Sequence, residues 1–150
     1  MRKIKQFLNG AEAILKDCPI DVDGGILFDD GLILTHYHAQ DCCENVYANW
    51  NYLKDEAGIM NVDFSDLTIE ERRNRKSRTG IRICGQGHKF FVPCYNEQNG
   101  YYNDQLDIVL IDTNQYEEVD VGWWGGKTQY KFKYKIVKTW ENVPTIDNIY

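Results

Sequence analysis

The sequence predicts an α+β fold, with an antiparallel sheet of about five or six strands, an amphipathic N-terminal helix and a second helix starting at Asp41. Three observations lead to this prediction: apolar residues at helical spacing near the N-terminus, a change to helical period at Asp41, and alternating apolar and polar residues after Gly80. A length of 150 residues suits one domain, 1–150. We expect this domain to carry a basic segment at 71–82 and a C-terminal β extension at 113–150.

The N-terminal helix is predicted from residues 2–17, and Pro19 would end it because the residue before proline avoids helical angles. The stretch GILFDDGLILTHYH then indicates two strands around Asp30-Gly31, a dipeptide that favours a type I′ hairpin. The apolar residues at i, i+3, i+4 and i+7 spacing in the first helix are Ile4, Phe7, Leu8, Ala11, Ile14 and Leu15.

The helix predicted to begin at Asp41 has a capping pattern, because Asp41 can accept a bond from the first turn while Glu44 reaches back. Gly58 is its expected stop. A further helix is predicted from about Leu67 to Arg75. The apolar stripe of the Asp41 helix consists of Cys43, Val46, Tyr47, Trp50 and Leu53.

Beyond Gly80 the sequence indicates strands. IRIC and HKFFVPCY flank the short connection Gly85-Gln86-Gly87, and QLDIVLID predicts another strand. The run TQYKFKYKIVK alternates, with Tyr130, Phe132, Tyr134 and Ile136 on one side and lysines on the other, which suits a protected sheet edge. VGWWGGK predicts a tip that carries Trp123 and Trp124.

The net charge of −6 is segregated along the chain: −8 for residues 1–70, +6 for 71–90, −7 for 91–126 and +3 for 127–150. This bipolar distribution disfavours a uniformly acidic mimic of nucleic acid. The basic segment is either a solvated loop or a contact surface. Its residues, Arg72, Arg73, Arg75, Lys76, Arg78 and Arg82, together with Trp123 and Trp124, are the candidate interface, since arginines and aromatics supply most interface anchors.

The stretch HYHAQDCCENVY raises the question of a metal or thiol site. Adjacent cysteines rarely share one zinc ion, although His36 and His38 would share a strand face and His88 or Cys94 could complete a set. A thiol at a helix N-terminus can be activated, but Asp41 and Glu44 would oppose a thiolate. The favoured interpretation is structural, with no catalytic, metal or cofactor residue; an enzyme that uses His36, His38, Cys42 and Cys43 stays open as an alternative.

Motifs of the common nucleotide enzymes and hydrolases are absent from the sequence. The five cysteines form an odd set in a chain large enough to fold without bridges, so we expect free thiols in a reducing compartment. Polar residues interrupt the first 18 positions, and no segment has the roughly 20 apolar residues of a membrane helix. We therefore expect a cytoplasmic protein without a membrane partner.

Two motifs carry a resemblance to a known family. One is His38, Gln40, Asp41, Cys42, Cys43 and Glu44; the other is Asn99, Gly100, Tyr101 and Tyr102. Over about residues 25–110 the chain resembles the domain of unknown function 7448 family of small phage and bacterial proteins, whose members carry His-x-Gln-Asp-Cys-Cys-Glu and Asn-Gly-Tyr-Tyr. The resemblance implies a fold and a phage or prophage origin, and it carries no activity across.

These observations lead to an expected function. We expect a non-catalytic binding protein, a phage or prophage accessory protein that acts on a host or defence component, with nucleic acid as another partner for the basic segment 71–82. A small-ligand or nucleotide site, with Tyr101 or Tyr102 stacked on a base, is a further alternative. We also expect the two family motifs to touch, with Asn99 or one of these tyrosines near His38 and Gln40.

Overall fold

The computed structural model describes residues 1–8, 24–38, 45–73, 78–97, 105–124 and 127–147. Ten strands and two short 3-10 helices, Trp50–Leu53 and Ile59–Asn61, are found in these ranges. No helix among them has seven or more residues, and none is long and apolar enough to span a membrane. The strands are β1 (Ile4–Leu8), β2 (Gly25–Phe28), β3 (Leu32–Tyr37), β4 (Asn45–Ala48), β5 (Thr68–Arg72), β6 (Gly80–Gly85), β7 (His88–Glu97), β8 (Asp107–Trp124), β9 (Lys127–Trp140) and β10 (Ile146–Asp147).

The strands form two sheets that are mostly antiparallel. The first sheet has the order β1-β2-β3-β8-β9. The second has the order β10-β7-β6-β5, and β4 also pairs with β7. Only the short β10 runs parallel to its neighbour among the described pairs. The predicted α+β class is therefore wrong, because the predicted helical segments that fall within the described residues are strands or 3-10 turns.

The predicted N-terminal helix is replaced, over its first part, by β1. A β-bulge between Ile4 and Gln6 shifts the register of β1 against β2. Ile4 and Phe7, three residues apart, consequently pack into the same core, while Leu8 packs on the opposite face of the sheet. A bulged strand thus reproduces the spacing of a helical face. Residues 9–23, including Pro19, lie outside the described part of the chain.

The predicted Asp41 helix is also wrong over its described part, since residues 45–48 form β4. Val46 faces the core, whereas Tyr47 lies beside Tyr95. The 3-10 turn that follows returns Trp50 and Leu53 to the core. The strand and the turn together therefore bury Val46, Trp50 and Leu53, three of the residues that the predicted helix would have buried. Gly58 adopts φ +77° as predicted for a stop, but it precedes a 3-10 turn.

The helix predicted from Leu67 to Arg75 is the strand β5 over Thr68–Arg72. All five residues pair with β6, from Thr68 opposite Cys84 to Arg72 opposite Gly80. Glu70 and Glu71 are successive residues of this strand, where cross-strand pairing overrides local propensity.

Both predicted hairpins are present. At Asp30-Gly31 the loop has three residues in place of the two of a type I′ turn: the Gly31 N–H donates to the Phe28 carbonyl over 3.1 Å, and Gly31 has φ +86°. At Gly85-Gln86-Gly87 the connection has positive φ at both Gln86 and Gly87, the conformation of a type I′ turn.

The strands predicted from QLDIVLID and TQYKFKYKIVK are β8 and β9, and β9 lies at the edge of the first sheet as its lysines indicated. A register shift beside Ile111 interrupts the alternation, however, and Ile136, expected on the apolar side, is 55% exposed. Beyond Asp112, β8 pairs only with β9 among the described strands. The last pairs are Trp123 with Thr128 and Trp124 with Lys127, at the far end of this two-stranded ribbon.

Phe64 connects the two sheets. It is fully buried, and its ring lies 5.7 Å from that of Phe28 in the first sheet and 6.1 Å from that of Phe90 in the second. The core around it includes Ile26 and Leu34 on one side and Ile81, Ile83 and Val92 on the other. The sheets therefore pack face to face, as in a β-sandwich.

The segment that carries Phe64 is held to the N-terminus by Asp63. The Ser65 hydroxyl and the backbone N–H groups of Arg2 and Ser65 donate to its carboxylate, at distances of 2.5 to 3.0 Å. These bonds, first that from the Ser65 side chain, lower the pKa of Asp63 to about 2.

A carboxylate with a lowered pKa stabilises the folded state above its ordinary pKa, and this stabilisation is lost as the pH falls toward about 2. We expect Asp63→Asn to lower the melting temperature at pH 6 and to have progressively less effect below pH 4. Thermal melts of both proteins between pH 2 and pH 6 test this. A melting-temperature difference that does not change with pH would contradict an electrostatic role, and exposed Asp55→Asn is the matched control.

Candidate functional site

The two family motifs lie in connections whose flanking strands belong to different sheets. Residues 39–44 lead from β3 to β4, and residues 98–104 lead from β7 to β8. Their flanking residues are paired, Tyr37 with Asp107 and Asn45 with Glu97. The motif residues Gln40, Asp41, Cys42, Cys43, Glu44, Asn99, Gly100, Tyr101 and Tyr102 themselves lie outside the described residues, so contact between the motifs stays a prediction.

The two histidines His36 and His38 are engaged in different hydrogen bonds. The Trp50 indole N–H donates to His36 Nδ1 over 3.0 Å, so this nitrogen is unprotonated. His38 Nδ1 lies 2.7 Å from the Gln105 carbonyl, which can only accept, so this nitrogen of His38 is the donor. His38, in the first motif, thus contacts the residue that follows the second connection.

The metal site considered from the sequence can be compared with the structure only at its described residues. No group of three His, Cys, Asp or Glu side chains that could hold a metal occurs within the described residues. Each of the two histidines already uses Nδ1 in a hydrogen bond. His88, weighed as a third ligand, stacks on Phe90 beside the Gln86-Gly87 turn.

The described cysteines are free, as predicted, and unsuited to nucleophilic catalysis. Burial raises the pKa of the Cys94 thiol to about 12. Burial, followed by the nearby Glu70 carboxylate, also raises the pKa of Cys84. A reactive cysteine requires the opposite shift. The same comparison cannot be made for Cys42 and Cys43, because they lie outside the described residues.

A different surface combines cationic and aromatic side chains. On the outer face of the second sheet, the Arg72 guanidinium lies over the Phe91 ring, 5.7 Å from its centroid. Tyr52, 52% exposed, meets the same ring edge-on at 5.8 Å. Phe91 pairs with Arg82 on β6, which places a second arginine beside it. We name Arg72, Arg82, Phe91 and Tyr52 the arginine–aromatic patch.

The charges around this patch are unevenly balanced. Glu70 is bound by Lys89 Nζ at 2.9 Å and lies 3.9 Å from Arg82. Glu71 lies 3.8 Å from Arg73. The Arg72 Nε atom is buried without a hydrogen-bond partner, and Arg78 is exposed. The acids here are thus already matched by cations, and Arg72 and Arg78 leave an excess of positive charge.

The aromatic surface extends along β7. Tyr95 lies 5.3 Å from Tyr47 on β4, and the Tyr47 hydroxyl donates to Glu97 at 3.5 Å. Burial and then the Glu97 charge raise the pKa of Tyr47. This end of the outer face is therefore aromatic and acidic, whereas the end near β5 is aromatic and basic.

The sequence-predicted interface residues are only partly brought together. Arg72, Arg73, Arg78 and Arg82 lie on or beside the β5–β6 hairpin. Arg75 and Lys76 lie outside the described residues. The backbone of Trp123 and Trp124 is at the end of the ribbon in the first sheet, whereas the arginines belong to the second sheet.

Phe91 and Tyr52 were missed as surface residues. In HKFFVPCY, Phe90 and Val92 are buried in the core and Phe91 alternates to the outer face. Strict alternation along this run could have identified Phe91. No sequence pattern marks Tyr52 as a neighbour of Phe91, because the position of Tyr52 depends on a 3-10 turn.

Comparison with protein families decides the membership of the chain. A family model described as a domain of unknown function, DUF7448, matches residues 4–108. The chain belongs to the DUF7448 family. This match confirms the resemblance carried by the two motifs. No curated protein and no solved structure matches the chain.

The DUF7448 match covers β1 through the first residues of β8. It includes both sheet-crossing connections and the arginine–aromatic patch. Most of the β8–β9 ribbon, with Trp123 and Trp124, follows the matched region. Features inside the match are therefore the ones that a function of the family could use.

Proposed function

We propose that this chain is a non-catalytic interaction protein that binds an acidic protein partner through the arginine–aromatic patch. The observation that carries the proposal is the position of the Arg72 guanidinium over the Phe91 ring, with Tyr52 against the same ring, on a half-exposed sheet face. Arginine and aromatic side chains are enriched at the energetic centres of protein interfaces. A guanidinium that already lies over a ring is partly ordered before binding, which lowers the entropic cost of association.

Charge favours an acidic partner. Residues 71–90 carry +6 in a chain whose net charge is −6. The neighbouring Glu70 and Glu71 are paired with cations, so they do not cancel the charge of Arg72 and Arg78. An acidic protein surface would gain from this field both in association rate and in specificity. We propose a partner in a bacterial host cell, with a host defence component among the candidates.

Site-specific photo-cross-linking tests the proposal. A benzophenone amino acid replaces Tyr52 in the patch, and in a control protein it replaces Ile136, which is 55% exposed on the edge of the first sheet. In bacterial lysate we expect a cross-linked protein from position 52 that is absent from position 136. The cross-link should fall at least about tenfold with Arg78→Glu, since charge reversal at an interface costs several kcal/mol.

Two outcomes would contradict the proposal. Equal cross-linking from positions 52 and 136 would show that the patch is not the contact surface. A cross-linked species that nuclease treatment removes would identify nucleic acid as the partner, and its yield would then fall steeply with salt. Lys5→Glu, a charge reversal at an exposed lysine on β1 in the first sheet, should leave the cross-link unchanged.

A further inference from the structure

The patch ends at an open sheet edge. Within the described ranges, β6 is the only strand that pairs with β5, and β5 lies at the end of the second sheet. Its outer side therefore presents backbone N–H and C=O groups that have no strand opposite them. Such an edge is a template for an added strand.

The side chains of β5 define what such a strand would contain. Ile69 is half-buried and packs against the core, so a strand added beside it would continue the apolar face. Glu70 and Arg72 alternate to the outer face, where Glu70 is already bound to Lys89 and Arg72 has its unused Nε donor. The two faces of β5 therefore fit an added strand that carries an apolar residue next to Ile69 and an acidic residue next to Arg72.

We propose that the partner of the arginine–aromatic patch presents an extended acidic segment that pairs with the free edge of β5 by β-strand addition. This inference rests on the proposed function and specifies its geometry. The charges of Glu70, Glu71 and Arg72 protect the edge against strands of unmatched charge, which is how natural edge strands avoid unwanted pairing. A strand of alternating acidic and apolar residues would place an acid beside Arg72, while Lys89 and Arg82 already offset the charge of Glu70.

The test uses the full chain and a fluorescein-labelled peptide, Glu-Val-Glu-Val-Glu-Val-Glu, measured by fluorescence anisotropy. Alternate amides of a strand point to opposite edges. We therefore compare the parent peptide with one N-methylated at its valines and one N-methylated at its glutamates. We expect one methylated peptide to bind at least about tenfold more weakly than the parent and the other to bind like the parent, because only one edge pairs with β5.

Variants of the protein separate charge from strand pairing. Arg72→Gln should weaken binding of the parent peptide, while Lys5→Gln, at an exposed lysine of the first sheet, should not. Equal binding of both methylated peptides and the parent would overturn strand addition, as would failure of the parent peptide to bind. Neither result bears on the cross-link from position 52, so the proposed function and this inference can fail separately.

Discussion

Replacing Phe64 with alanine is expected to lower the free energy of unfolding by about 3 to 5 kcal/mol. Phe64 is fully buried and is the ring that contacts Phe28 in one sheet and Phe90 in the other. Removing it deletes apolar contacts to both sheets and leaves a cavity that two rigid sheets cannot close. The loss is of the same order as the whole stability of a small domain.

Urea denaturation of the purified protein measures this effect. Met60→Ala, at a residue that is 43% exposed, should cost less than about 1 kcal/mol and serves as the control. Phe64→Leu keeps part of the volume and should lie between the two. A Phe64→Ala cost similar to that of Met60→Ala would show that the sheets do not pack through this ring.

Replacing Gly80 with alanine is expected to destabilise the protein by about 3 kcal/mol. A Cβ at this position would collide with the Val92 carbonyl oxygen and lie 2.9 Å from the Cys94 nitrogen. Both are backbone atoms of β7, so no side-chain rotation relieves the contact. Gly80 pairs with Arg72 and with Pro93, and the displacement would therefore also move the arginine–aromatic patch.

Thermal and urea unfolding test the Gly80 prediction, with Gly58→Ala as the control. A Cβ at Gly58 would meet no atom within 4 Å, although its φ of +77° favours glycine. We expect Gly58→Ala to cost about 1 kcal/mol from backbone conformation alone. If Gly80→Ala and Gly58→Ala were equally stable, the close approach of β6 and β7 at Gly80 would be contradicted.

The β half of the fold was predictable because its signals are local. Alternation identified the strands β6 to β9, and Gly31 and Gly87 marked turns that require positive φ. The helical predictions failed because a helix is not the only structure that buries apolar residues at helical spacing. Ile4 and Phe7 share a face through a bulge, and Val46, Trp50 and Leu53 are buried by a strand and a 3-10 turn.

The positive charge of the candidate site was predictable from the sequence, but the arrangement of its side chains was not. The arginines of 72–82 are evident in the sequence as a basic segment. Their relation to Phe91 and Tyr52 depends on the pairing of β5, β6 and β7 and on the turn after β4, which join residues up to 39 positions apart. The same holds for His38 and Gln105, which are separated by 67 positions.

By itself, the sequence determined the family, the hairpin turns, the strands after Gly80 and the position of the positive charge. Only the tertiary structure decided that the described elements before Gly80 are strands and 3-10 turns and that Arg72, on β5, the end strand of the second sheet among the described strands, lies over Phe91. The physical reason is that an isolated strand has no hydrogen-bond partners of its own. Whether an apolar repeat becomes strand or helix is then settled by which distant segment supplies those partners.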